Sequence, residues 1–134
     1  MAKFFTIRKD GGAESTSTGY WLVEIKSLFS IALLKFEGKG REAYHTHAFN
    51  AISWLLKGEL REDCKMPGGK HRIKYYFPSL KPIITPREPM HKVDSDGTSW
   101  ALTFRGPWNK KWKEYHPNTD TNWELTNGRV MTEI

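Results

Sequence analysis

The chain has 134 residues, of which 38% are apolar, 13% aromatic and 27% charged; this composition suits one folded core and excludes a disordered or collagen-like polymer. Twenty-one lysines and arginines against fifteen acids give a net charge of +6, which favours acidic partners: a small anionic molecule first, a nucleotide or nucleic acid as alternatives. The single cysteine, Cys64, excludes an intramolecular disulfide and a cysteine-built zinc ribbon, so any metal must be held by histidine or carboxylate.

In chain order, Met1 to Asp10 places Lys3, Arg8 and Lys9 around a few apolar residues and lacks the apolar centre of a secretory signal. No later run approaches the ~18 apolar residues of a membrane span, so no membrane partner is expected and the expected location is cytoplasmic. Residues 10–18, with two glycines and a Ser/Thr run, read as a loop.

Short β-branched and aromatic runs then follow at close spacing. They predict strands over Gly19 to Lys26, Phe29 to Glu37, Tyr44 to Phe49, Ile52 to Lys57, Leu60 to Lys65, Ile73 to Phe77, Ile83 to Thr85, His91 to Asp94, Ser99 to Arg105 and Lys111 to His116. Turn residues separate them, including Lys57-Gly58, Pro67-Gly68-Gly69 and Asp94-Ser95-Asp96-Gly97. No dozen-residue window keeps a helical apolar stripe; Pro78 to Leu80 is the best single helical turn. The expectation is one all-β domain over 1–134, with its core at about 19–116 and a surface tail over 117–134 pinned by Trp123 and Leu125.

The segment Tyr44-His45-Thr46-His47 carries the most chemistry. Side chains on a strand repeat every two residues, so both imidazoles project from one face with Cα atoms roughly 6.5 Å apart, a spacing at which two rings can share an ion. A third histidine, His91, opens another predicted strand. Three histidines from neighbouring strands would leave coordination positions open, as metal catalysis needs.

Gly40-Arg41-Glu42-Ala43-Tyr44-His45-Thr46-His47, with Gly58 eleven residues beyond His47, resembles the first motif of the cupin superfamily, and Pro86-Arg87-Glu88-Pro89-Met90-His91 resembles the second. The likeness covers about residues 29–105. It implies a cupin-type jelly-roll β-barrel, with His45, His47 and His91 as ligands of one divalent transition metal, Fe(II) favoured and Zn, Mn or Ni as alternatives. The sequence departs from the pattern in two places. The usual glutamate falls at Ala51 or Ile52, and the glycine of the second motif is Glu88. Three histidines without that carboxylate are similar to the iron site of the thiol dioxygenases in the superfamily, which implies an oxidoreductase. The segment from His91-Lys92-Val93 through Trp100 to Pro107 and on to Trp112 looks like small cupin-like proteins of bacteria and their phages. Barrels of this kind pair through edge strands, which makes a homodimer an option.

Other residues are candidates for supporting roles. Glu62 could swing in for the missing carboxylate, although a solvated strand position is the expectation. Arg41, Arg61, Arg87 and Arg105 could anchor a substrate carboxylate or phosphate, and Tyr44 or Tyr76 could donate a phenolic hydrogen bond to it. Ser53 and Asn50 could orient a ligand imidazole. Cys64 has no neighbour in sequence to activate it and reads as an idle thiol. Lys65, Lys70, His71, Arg72, Lys74 and Tyr75 to Phe77, with Trp108 and Lys110 to Lys113, interleave cations and aromatics as single-strand nucleic-acid platforms do. That pattern keeps open a second reading, a binding or inhibitory module for a nucleotide, nucleic acid or protein.

Overall fold

The β-rich runs fold as antiparallel strands, and the computed structural model describes residues 2–10, 15–40, 44–87, 90–126 and 130–134. In chain order the strands are β1 Lys3–Lys9, β2 Ser17–Ile25, β3 Phe29–Glu37, β4 Tyr44–His45, β5 Ala51–Lys57, β6 Leu60–Lys65, β7 His71–Tyr76, β8 Ile83–Thr85, β9 Met90–Ser95, β10 Thr98–Arg105, β11 Lys111–His116, β12 Thr121–Thr126 and β13 Val130–Glu133. One sheet has the order β1-β2-β3-β10-β5-β8, the other β13-β12-β11-β4-β9-β6-β7. Neighbours that are distant in sequence, such as β3 beside β10 and β4 between β11 and β9, make this a jelly roll and not a meander.

Three predictions need correction. The first strand, β1, is absent from the expected strands, because its apolar residues Phe4, Phe5 and Ile7 face outward and the period-2 signal lies in Thr6, Arg8 and Asp10. The predicted surface tail instead forms β12 and β13, which extend the second sheet from β11, and Leu125 is fully buried. The helical turn forms at Pro67–Gly69 and not at Pro78 to Leu80, because positive φ at Gly68 and Gly69 closes the β6–β7 hairpin.

The inner faces meet in a barrel whose wall is apolar but whose lumen is not filled. Ala32, Leu34 and Trp21 form one buried group, Leu55, Leu60 and Ala101 a second, and Ala48, Phe49 and Ala51 a third, against which Trp108 and Trp112 pack. Alternation settles the orientation of β10: Ala101, Thr103 and Arg105 are buried, while Phe104 on the other face is 41% exposed. Gly58, at φ +94°, closes the β5–β6 turn where a Cβ would stand 2.3 Å from Ser99 Oγ. The large Trp21 side chain has room because Gly19, two residues earlier on the same face, has no Cβ.

Candidate metal centre and its cavity

His45 and His91 are cross-strand partners in the antiparallel β4–β9 pair. The predicted strand from Tyr44 to Phe49 ends at His45, yet the chain stays extended enough to keep its alternation, because Thr46 N–H donates to the Lys113 carbonyl at 2.9 Å and His47 N–H to that of Arg87 at 3.1 Å. The ring centroids of His45 and His47 are 4.9 Å apart, those of His45 and His91 5.0 Å, and those of His47 and His91 4.6 Å. One ring nitrogen from each of the three lies within 4.8 Å of the others.

His47 Nε2 stands 3.2 Å from His91 Nε2. Two nitrogens bound to one ion at about 2.1 Å stand roughly 3.0 to 3.4 Å apart, so the pair has the spacing of cis ligands. Burial foremost, then the charges of His45, His91 and Arg105, holds the His47 imidazole well below its ordinary pKa, and a neutral ring is what a metal requires. The Nδ1 atom of His47 is buried without a partner. By donor set and spacing the three residues fit a divalent transition metal.

Glu62 is 9% exposed and not the solvated residue expected. It turns inward on β6, where it accepts a hydrogen bond from His91 Nδ1 at 2.6 Å and from the Tyr76 hydroxyl at 3.1 Å. Burial pushes its carboxyl up, but the bonds from His91 and Tyr76 outweigh this and hold it below the usual range. Burial and the Glu62 charge push the Tyr76 phenol up to about 12. Cys64, two residues along the same face, is 4% exposed, and burial with the Glu62 charge raises its thiol. A raised thiol is a poor nucleophile, in keeping with the expected idle role.

The three imidazoles open into a cavity of about 480 Å³. Among its lining residues, Trp21, Phe36, Phe49, Trp108 and Trp112 supply aromatic surface, and Tyr76, Ser53 and Arg105 come from the set predicted from sequence. Arg105 is 6% exposed and fork-bonded to Asp10. Ser53 bonds Thr103 at 2.9 Å. Other predicted residues are placed elsewhere. Asn50 accepts from the Arg87 amide at 3.0 Å, Arg61 pairs with Asp94 at 3.7 Å across the β6–β9 pair, and Tyr44, opposite in face to His45, donates to Asp63 at 2.9 Å. Arg41 lies outside the described residues, as do Glu42, Ala43, Glu88 and Pro89.

Sequence reasoning missed Asp10, Arg8, Trp21 and Glu114, all of which line the cavity. Glu114 is 1% exposed, is the register partner of His45, and accepts from His116 Nε2 at 2.8 Å. The period-2 pattern Thr6, Arg8, Asp10 was the one available signal for the N-terminal pair.

No protein-family model matches the sequence, and no curated protein is significantly similar to it. Solved structures do match. A sugar phosphate isomerase of the cupin superfamily from Silicibacter pomeroyi is 13% identical, covering 99% of this chain and 87% of that one, with a TM-score of 0.60. The fold is a cupin-type jelly-roll barrel. Oxalate decarboxylase from Bacillus subtilis is also 13% identical, over 81% of this chain and 29% of its own, with a TM-score of 0.58. The Fe(II) form of HppE with an alternative substrate matches at 13% identity over 75% of this chain and 55% of that one, with a TM-score of 0.59. At these identities the likeness is one of fold. Among the described residues no helix is long and apolar enough to cross a membrane.

Proposed function

We propose that this barrel is a metal-dependent, dioxygenase-like oxidoreductase, in which His45, His47 and His91 hold one divalent transition metal, iron(II) foremost, above a cavity that admits a small anionic substrate. The observation that carries the reading is the convergence of three imidazole nitrogens within 4.8 Å at the edge of a lined cavity. A ferrous ion held by three neutral imidazoles supplies redox chemistry toward dioxygen at its open coordination positions. The Fe(II) form of one fold relative is the reason iron stands first among the candidate metals.

The chain's own groups have definable tasks. Glu62 accepts the Nδ1 proton of His91 and thereby fixes the tautomer that leaves Nε2 with its lone pair toward the other imidazoles. Tyr76 donates to the other Glu62 oxygen, keeping the carboxylate aimed at His91 and itself out of acid-base work near neutrality. Phe49, Trp108 and Trp112 form an apolar wall of the cavity, and a low-dielectric wall strengthens electrostatic contacts to a bound anion.

The alternative of a nucleic-acid platform would lack two of its aromatic residues. Arg72, Lys74 and Tyr75 on β7 are exposed, but Trp108 and Trp112 turn inward to the cavity. Oxygen uptake by iron-reconstituted protein, screened against small thiols and organic acids, tests the enzymatic reading. Turnover that disappears in His91→Ala supports it. Uptake unchanged by that substitution, or absent with every substrate while iron is bound, contradicts it.

A further inference from the structure

A second polar pair in the cavity lies outside the histidine set. Arg105, at the end of β10, donates through both terminal nitrogens to the two oxygens of Asp10, at 3.1 and 2.7 Å. Its guanidinium rests over the rings of Phe49 and Trp21, 4.5 and 5.7 Å from their centroids. Its Nε–H is buried without an acceptor, and so are the indole N–H groups of Trp21 and Trp108, three donors among the residues that line one cavity. A planar fork backed by aromatic rings is a receptor for a carboxylate, and the carboxylate in it comes from the chain itself.

Asp10 follows β1, the outermost strand of its sheet. β1 buries little apolar surface, since Phe4, Phe5 and Ile7 are 59%, 81% and 67% exposed. Besides its ladder to β2 and an exposed Lys9–Thr18 bond, it is tied into the barrel by Arg8, which pairs with Glu24 and lies over the Trp21 ring, and by Asp10, which pairs with Arg105. A strand tied by polar pairs and not by a packed face belongs to the part of a fold that opens at low cost. The Arg105 pair can therefore exchange one carboxylate for another without disturbing the core.

We propose that Arg105 is the receptor for a small carboxylic acid, and that Asp10 is a built-in occupant of that receptor which the ligand displaces. The N-terminal strand then acts as an internal competitor: it keeps Arg105 paired while the cavity is empty and releases it to a ligand whose oxygens also reach the unpaired donors. This names a ligand class for the cavity of the proposed enzyme and rests on that reading only for what happens to the ligand afterwards. Binding itself needs no metal.

The test uses the full-length, metal-free protein titrated with malonate, read by tryptophan fluorescence and by thermal melting. Removing the competitor in Asp10→Asn is expected to tighten malonate binding about tenfold or more and to make the Tm of that variant rise with malonate. The double variant Asp10→Asn with Arg105→Leu should show neither effect. Equal affinity in parent and Asp10→Asn, or binding that survives in the double variant, overturns the proposal. Phosphate at matched ionic strength acting as well as malonate overturns the assignment to a carboxylate. If Asp10→Asn does not fold, Arg105→Lys answers the same question against the parent, because lysine keeps the charge and loses the fork: unchanged malonate affinity contradicts the proposal and a loss of about tenfold or more supports it. Failure of iron loading would leave these titrations unaffected, so the two readings fail separately.

Discussion

His91 Nδ1 donates to Glu62 Oε2 at 2.6 Å inside the barrel, with both side chains buried. The bond fixes which nitrogen of the ring faces His47, and it joins the strand that carries the third histidine to its neighbour β6. A carboxylate behind a ligand imidazole sets its tautomer, its orientation and its basicity.

Glu62→Gln should therefore weaken metal affinity without abolishing it. An amide of the same shape can still accept from Nδ1 but carries no charge, and losses of about 10- to 100-fold are typical for such partners. Competition titration with a chelating indicator checks this against the parent. An unchanged dissociation constant would remove Glu62 from the account of the site.

Leu125 has no exposed surface although it lies near the C-terminal end. Truncation of a fully buried leucine costs about 2 to 5 kcal/mol, so Leu125→Ala should lower unfolding stability by about 3 kcal/mol in urea melts. A cost within ~0.5 kcal/mol, the range of surface substitutions, would mean that β12 is not packed as described.

The pairing of Asp10 with Arg105 makes a pH-dependent contribution of known sign. Burial raises the Asp10 carboxyl, but the Arg105 charge and hydrogen bonds outweigh it and hold it below its ordinary value of 3.8. A carboxyl depressed on folding stabilises the protein above the unfolded value and loses that contribution as pH falls through the folded one. The stability difference between parent and Asp10→Asn should be widest near neutrality and should shrink as pH falls below 3.8. Parallel stability curves from pH 7 to the acid limit would contradict the pairing.

The histidine pair was legible because strand alternation is local: two residues separate His45 from His47, and any extended backbone puts them on one face. The same logic gave Phe29–Glu37, Leu60–Lys65, Ile83–Thr85 and Lys111–His116 their bounds. Glu62 was legible as a candidate carboxylate but not as the buried partner of His91, and Asp10 was not legible at all, for the opposite reason. A buried carboxylate is stable only beside its partner, and those partners are far off in the chain: His91 is 29 residues from Glu62, and Arg105 is 95 from Asp10. The sign of Arg105 was visible in the sequence but its face was not, since β10 is apolar on one side and mixed on the other. β1 escaped notice because an edge strand that turns its apolar residues to solvent inverts the pattern by which strands are recognised.

The most direct measurement is element-resolved metal analysis of the protein purified without a histidine tag, beside a variant with His45→Ala and His47→Ala. The account predicts near-stoichiometric iron, or another divalent transition metal, in the parent after anaerobic reconstitution, and none in the variant. No metal in the parent, or equal metal in both proteins, would contradict the three-histidine centre.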